Sequence, residues 1–219
     1  MNKSKYSLRK KKHAKTKIAL ANAFIEKLKT TRFSDISIKE ICQKVEVSEG
    51  TFYNYFPQKL DMISYFQNLS LLKIEWKLNQ QKSKLSPLGL IELSFDLFAE
   101  TIQQPYLFFE IVSVFTSQHT RPQKGNLTPA EKFYAYPEYP DIEEIKIKSL
   151  DDFFLKYLKK AKREGQINKS IDSRDMVTVL KSILVGVPLT IEINDFNNLS
   201  KIYKKQLILF KKAFLIDNQ

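Results

Sequence analysis

Between Val47 and Ile63 the sequence reads VSEGTFYNYFPQKLDMI, and most of its polar side chains can make hydrogen bonds. Thr51, Tyr53 and Tyr55 supply hydroxyls, Glu49 a carboxylate and Asn54 an amide. Gly50 leaves the backbone bare among them, so another surface can approach closely there. Such groups at this density can meet phosphate oxygens and base edges in a major groove. Covalent chemistry needs other features. The chain has no glycine-rich phosphate loop and no nucleophile elbow. Glu143 with Glu144 and Asp151 with Asp152 are adjacent pairs that point to different faces of a helix, as solvated surface does. No enzymatic activity is expected. His13 and His119 are the only histidines and Cys42 the only cysteine, so neither a metal-ligand set nor a cofactor is expected.

The elements that must position these groups are helices. Ser37-Ile38-Lys39-Glu40 reads as a capping box opening a short helix with Ile38, Ile41, Cys42 and Val45 on one face. After a turn at Val45-Glu46-Val47, Ser48 caps a third helix to about Phe56, and Pro57 ends it. Two short helices joined by a tight turn form a helix-turn-helix, here residues 37–56. Val47, Phe52 and Phe56 can face inward, leaving the hydrogen-bonding groups outside. Before it, Ile18, Ala21, Ile25 and Leu28 recur at helical spacing from Ala14 to Thr30. After it, a fourth helix runs from near Gln58 to about Gln81. Further helices are expected over Leu88–Gln103, Pro105–Ser117, Ile142–Glu164 with a cap at Gly165, from Asp172 or Ser173 to about Ile193 with a bend at Gly186 and Pro188, and Leu199–Leu215. The stretch 118–141 holds a capping box at Thr128–Glu131 and is either a mobile surface loop or a lid. The fold class is all-α.

Charge points to the partner. The 219-residue chain carries a net charge of +12 and is 43% hydrophobic, which excludes a disordered chain. Residues 1–59 hold 14 Lys and Arg against 5 Asp and Glu. No acid precedes Glu26, while Lys3, Lys5, Arg9, Lys10, Lys11, Lys12, Lys15 and Lys17 all do. This basic excess beside the hydroxyl-rich segment suits a polyanion, double-stranded DNA. A basic membrane-surface or structural interaction protein is the alternative, since the same lysines suit anionic lipid. The lone cysteine, the lack of a signal peptide and the lack of a long apolar run suit a cytoplasmic protein with no membrane partner.

At this point the residues carry a family resemblance. SIKEICQKVEVSEGTFYNYFPQKLDMI resembles the DNA-binding domain of the tetracycline-repressor (TetR) family of bacterial transcription regulators, over about Lys12 to Phe66. The pattern Ser48, Gly50, Thr51, Tyr53, Phe56, Pro57, Lys59 carries it. AKREGQINKSIDSRDM, Ala161 to Met176, resembles the family's entry into its eighth helix. The resemblance implies an all-α homodimer with a three-helix head, a connecting fourth helix and a C-terminal domain for a small effector. Residue by residue, it implies that Ser48, Thr51, Tyr53 and Lys59 contact the DNA backbone and that Glu49 and Gly50 lie at base edges. Asn54 and Tyr55 share the outer side. The resemblance also implies that Ser37 and Lys39, at the start of the second helix, meet flanking phosphates. Glu46 and Arg32 stand where the family often has glycine, and Gln58 where it often has a serine cap.

The expected division is a basic arm (1–11), a helix-turn-helix domain (12–72) and a ligand-binding and dimerisation domain (73–219). Phe95, Phe98, Phe108, Phe109 and Phe115 read either as ordinary core or as the lining of an apolar effector pocket. The last helix is apolar on nearly every side, and a helix apolar all round must be buried all round. Ile202, Tyr203, Leu207, Phe210 and Phe214, with Val179, Ile183 and Val187, are therefore expected at a two-fold interface. The function expected is a palindrome-binding regulator, a repressor released by a small molecule.

Overall fold

The computed structural model describes residues 5–117, 125–147 and 149–214, and every regular element among them is helical. They form two compact units. One comprises the described residues up to Lys73 together with those from Tyr106 to Lys146, and the other comprises Ile74–Pro105 with the described residues from Ile147 onward. The linear division expected from sequence had placed residues 106–146 with the C-terminal half. They join the N-terminal unit because Leu107, Val114 and the segment after Leu127 pack on its core.

The first unit begins with α1 (Leu8–Leu28), α2 (Ile38–Val45), α3 (Glu49–Tyr55) and α4 (Lys59–Asn79), the last of which continues into the second unit. Leu20, Phe24 and Leu28 of α1 converge with Ile41, Cys42, Phe52, Phe56, Met62 and Ile63 into a core from which water is excluded. The periodicity predicted α1 from Ala14, but it starts at Leu8, with Ser7 accepting a hydrogen bond from the Lys10 N–H at 3.4 Å. Apolar spacing could not show those turns because they are basic rather than apolar.

Ser37 caps α2 by accepting from the Glu40 N–H, but only half of the expected box forms. The Glu40 carboxylate turns instead to Lys27 at 3.3 Å. Glu46 ends α2 in the left-handed region, φ 59° and ψ 45°, and the Val47 N–H reaches back to the Cys42 carbonyl at 3.0 Å. This is the turn glycine would make at least cost. Glu46→Gly is expected to stabilise the unit by about 1 kcal/mol, read from the denaturant midpoint. An unchanged midpoint would mean that the glutamate is relieved elsewhere. Arg32 stands differently. Its φ is −60° with extended ψ, so that turn never required glycine.

The unit is completed by α6 (Pro105–Ser117), α7 (Pro129–Ala135) and a 3₁₀ turn (Ile142–Glu144). The Thr128–Glu131 box forms in full. The long helix expected from Ile142 does not. The Lys132 ammonium donates to the carbonyls of Glu143 and Ile145, drawing them out of helical register. The helix then restarts at Leu150, where Ser149 accepts from the Asp152 N–H.

The second unit packs α5 (Pro87–Thr101), α8 (Leu150–Arg163), α9 (Ser173–Thr190) and α10 (Leu199–Phe214) around stacked rings. Phe95 lies 5.8 Å from Phe154 and 5.1 Å from Tyr203 between ring centroids. Gly165, at φ 71°, closes α8 as expected, with the Gln166 N–H bonded to the Ala161 carbonyl. α9 stops at Thr190, short of the expected Ile193, and a 3₁₀ segment (Ile193–Asn198) leads into α10.

Candidate nucleic-acid interface

α3 is anchored from beneath by Phe52 and by Phe56 at its end. Phe52 is fully buried, and Phe56 just beyond the helix is nearly so. Their rings sit 6.0 Å apart and fix which side of α3 faces out. Ser48 opens the helix by accepting from the Thr51 N–H at 3.1 Å, and its hydroxyl also meets that of Thr51 at 2.9 Å. Both hydroxyls are therefore pre-positioned, each with hydrogen-bonding capacity left over.

Ser48, Glu49, Gly50 and Asn54 are exposed, and Tyr53 is 51% exposed with its ring edge-on to Phe52. Lys39 on α2 is exposed, and Ser37 half-buried at that helix's start. These residues make one polar surface over α2 and α3. At Gly50, a Cβ would meet nothing closer than 3.8 Å, so the fold itself does not require a glycine there.

Two expected contacts are placed differently. The Lys59 ammonium is not directed outward. It donates to the carbonyls of Phe33, Ser34 and Ile36 and lies 4.5 Å from the Phe33 ring centroid. Burial lowers its pKa, as partial removal from water must for a cation. Lys59 closes the turn between α1 and α2. Tyr55 is half-buried, and its ring packs against His13 of α1 with centroids 4.7 Å apart. Sequence reasoning gave His13 no role, since on α1 it falls among exposed lysines without any motif.

The basic N-terminal residues divide into two groups. Lys5 pairs with Glu143, and Lys17 pairs with the buried Glu131 at 3.0 Å while lying 4.7 Å from the Tyr65 ring. Arg9, Lys10 and Lys12 are exposed and pair with no acid among the described residues. Lys3 and His119 lie outside the described residues, as does Leu215.

The five candidate pocket residues are not brought into one unit. Phe95 and Phe98 belong to the second unit and Phe108, Phe109 and Phe115 to the first. Phe95 is fully enclosed by protein rings, and Phe115 packs on the core of the first unit. An open groove of about 480 Å³ lies on α8, lined by Lys156, Lys159, Lys162 and Arg163. Two of those cations are already committed, Lys156 to Glu75 and Lys162 to the carbonyls of Lys169 and Ile171.

Of the expected interface residues, Tyr203, Leu207 and Phe210 are buried within their own unit. The Tyr203 hydroxyl donates to the Leu184 carbonyl at 2.6 Å. Val179, Ile183, Val187, Ile202 and Phe214 are half-buried. The apolar side chains that face outward are others: Val185, Leu189, Ile193, Ile208 and Leu209. Among the described residues no cluster of His, Cys, Asp and Glu could hold a metal ion, and no helix is long and apolar enough to cross a membrane.

No protein-family model matches the sequence, and no curated protein matches it significantly. Solved structures do match the fold. A protein described as a tetR-family transcription regulator from Shewanella sp. PV-4 superposes with a TM-score of 0.54 at 12% identity, over 92% of this chain and 98% of that one. A bacterial regulatory protein in the tetR family from Rhodococcus RHA1 gives 0.52 at 13%, over 93% and 99%. The TetR-family protein CprB from S. coelicolor A3(2) gives 0.50 at 17%, over 96% and 92%. The helix order, with a helix-turn-helix near the N-terminus followed by a helical C-terminal part, is the fold of the TetR-family transcription regulators.

Proposed function

We propose that the protein is a transcription regulator that binds duplex DNA through the surface of α2 and α3. The observation that carries this reading is the outward face of α3. Ser48, Glu49, Gly50, Thr51, Tyr53 and Asn54 line it over a buried Phe52 anchor, beside exposed cations on α1 and α2. Phosphate contacts set register, and base edges are read from the helix set between them. Five outward apolar side chains on and between α9 and α10 support a two-fold dimer, which would present two copies of α3 to successive major grooves. Repression, and release by an apolar small molecule, complete the reading on the strength of the sequence resemblance.

Retention of duplex fragments from the native genome, followed by their sequencing, tests the reading. The expected result is a recurring two-fold motif. Flotation with anionic liposomes in place of duplex retention would establish the membrane-surface alternative instead.

Gly50 separates fold from function. Gly50 is the second residue of α3 and has room for a methyl, and alanine is the better helix former. Gly50→Ala should therefore raise or preserve thermal stability while lowering DNA affinity about tenfold, because the methyl occupies space that the duplex needs. Full retention of affinity would place the close approach elsewhere on α3.

A further inference from the structure

The first turns of α1 should not be stable by themselves. Residues 9–12 are four consecutive cations, Leu8 is 66% exposed, and no acid lies in the first turn. Like charges one turn apart destabilise a helix, and short helices without tertiary packing are marginal in water. Yet the helix is formed from Leu8. Its support comes from far along the chain.

The Tyr6 ring lies 5.7 Å from Phe133 and 6.1 Å from Tyr134. Lys5 pairs with Glu143 and sits 5.8 Å from the Phe133 ring, and Lys15 is 5.7 Å from the Tyr134 ring. Ala14 is buried, and Lys17 meets Glu131 inside the unit. The supporting segment is itself fixed. Glu131 accepts from the Thr128 N–H at 2.7 Å, Lys132 ties α7 to the 3₁₀ turn, and the Tyr136 hydroxyl donates to the Leu69 carbonyl of α4 at 3.0 Å.

We propose that residues 128–145 are an intrachain brace that holds the N-terminal turns of α1 as a preformed basic ledge, placing Arg9 and Lys12 on the DNA backbone beside the recognition helix. This rests on the DNA-binding reading above. Arg9, Lys12 and His13 stand at i, i+3 and i+4, so they share one side of α1. His13 fixes that side's direction, because its ring meets Tyr55 of α3. Lys5, Lys15 and Lys17 hold the brace, while Arg9 and Lys12 are exposed and pair with no acid among the described residues, as does Lys10. A ledge ordered in advance binds without the entropy cost that a flexible arm meets on ordering.

The test uses the full chain and two variants. Tyr6→Ala with Glu143→Gln loosens the brace while leaving the core of the unit untouched. Arg9→Gln with Lys12→Gln removes the phosphate contacts while leaving the brace intact. Both should bind specific and random duplex about tenfold more weakly than wild type. The Gln pair should also flatten the plot of log affinity against log salt by about 0.9 for each phosphate that is no longer neutralised. Amide exchange over residues 8–12 should rise in the brace variant only.

Brace-variant affinity equal to or above that of wild type would overturn the proposal, the latter outcome making the segment an inhibitory clamp. So would parallel salt plots for the Gln pair. Failure of the wild type itself to retain any duplex would instead overturn the DNA-binding reading, and the ledge with it.

Discussion

Replacing Leu189 and Leu209 together by aspartate is expected to turn the proposed dimer into a monomer and to lower affinity for the proposed operator by about 10²–10⁴-fold. Both side chains face outward from their unit, at 47% and 58% exposure. A carboxylate at either position stays hydrated in a lone protomer, so the fold should tolerate it. At a two-fold interface each substitution occurs twice, and an unpaired buried charge there costs several kcal/mol. Two linked recognition helices bind a palindrome far more tightly than either alone, and dissociation forfeits that gain. Sedimentation at micromolar concentration and titration with the recovered operator give the two readouts. A variant that stays dimeric would locate the interface on another surface. Truncating Leu207 instead should act differently, since it is 2% exposed and packed inside its own unit. Leu207→Ala is expected to cost about 2–5 kcal/mol of stability without first releasing a partner.

That contrast shows what the sequence could and could not reveal. Helix-turn-helix signals are local: a serine cap at 48, a proline at 57, and apolar spacing across ten or twenty residues. Each was legible, and the structure has α2, the turn and α3 where those signals put them. On α10 the sequence shows apolar residues on most sides but not which side its own unit uses. Tyr203 went inward because the Phe95 ring of α5 and the carbonyl of Leu184 meet it there, and Leu207 and Phe210 are buried along the same helix. The family resemblance implies that Lys59 is an outward contact, yet three carbonyls of the turn between α1 and α2 claim its ammonium. The brace was hidden for the same reason. Lys17 with Glu131, and Tyr6 with Phe133, are far apart in sequence, and no periodicity links them. Lys132 likewise broke a helix that its apolar pattern favoured, through carbonyls more than ten residues away.

Glu49→Gln is expected to change which sequences the protein selects, by about 1–3 kcal/mol at one base pair of each half-site. Glu49 is exposed in the first turn of α3, directly after the Ser48 cap, where side chains of a recognition helix reach base edges. Its carboxylate can only accept hydrogen bonds, and cytosine N4 is the major-groove donor that a carboxylate selects. Glutamine both donates and accepts, so it should relax the choice of cytosine and favour adenine. The competing role is electrostatic: an acid in the first turn of a helix is favourable toward the dipole, by about 0.3–1 kcal/mol when exposed. In that case the amide would lower stability slightly and remove one repulsion from phosphate, raising affinity for every sequence alike. Selection of bound sequences from a randomised duplex pool separates the two. A shift at the same position in both half-sites, about 34 Å apart on the duplex, supports base reading and the two-fold geometry together. An unchanged motif bound more tightly would leave Glu49 a helix-terminal charge and move sequence choice to Gly50, Thr51 and Asn54.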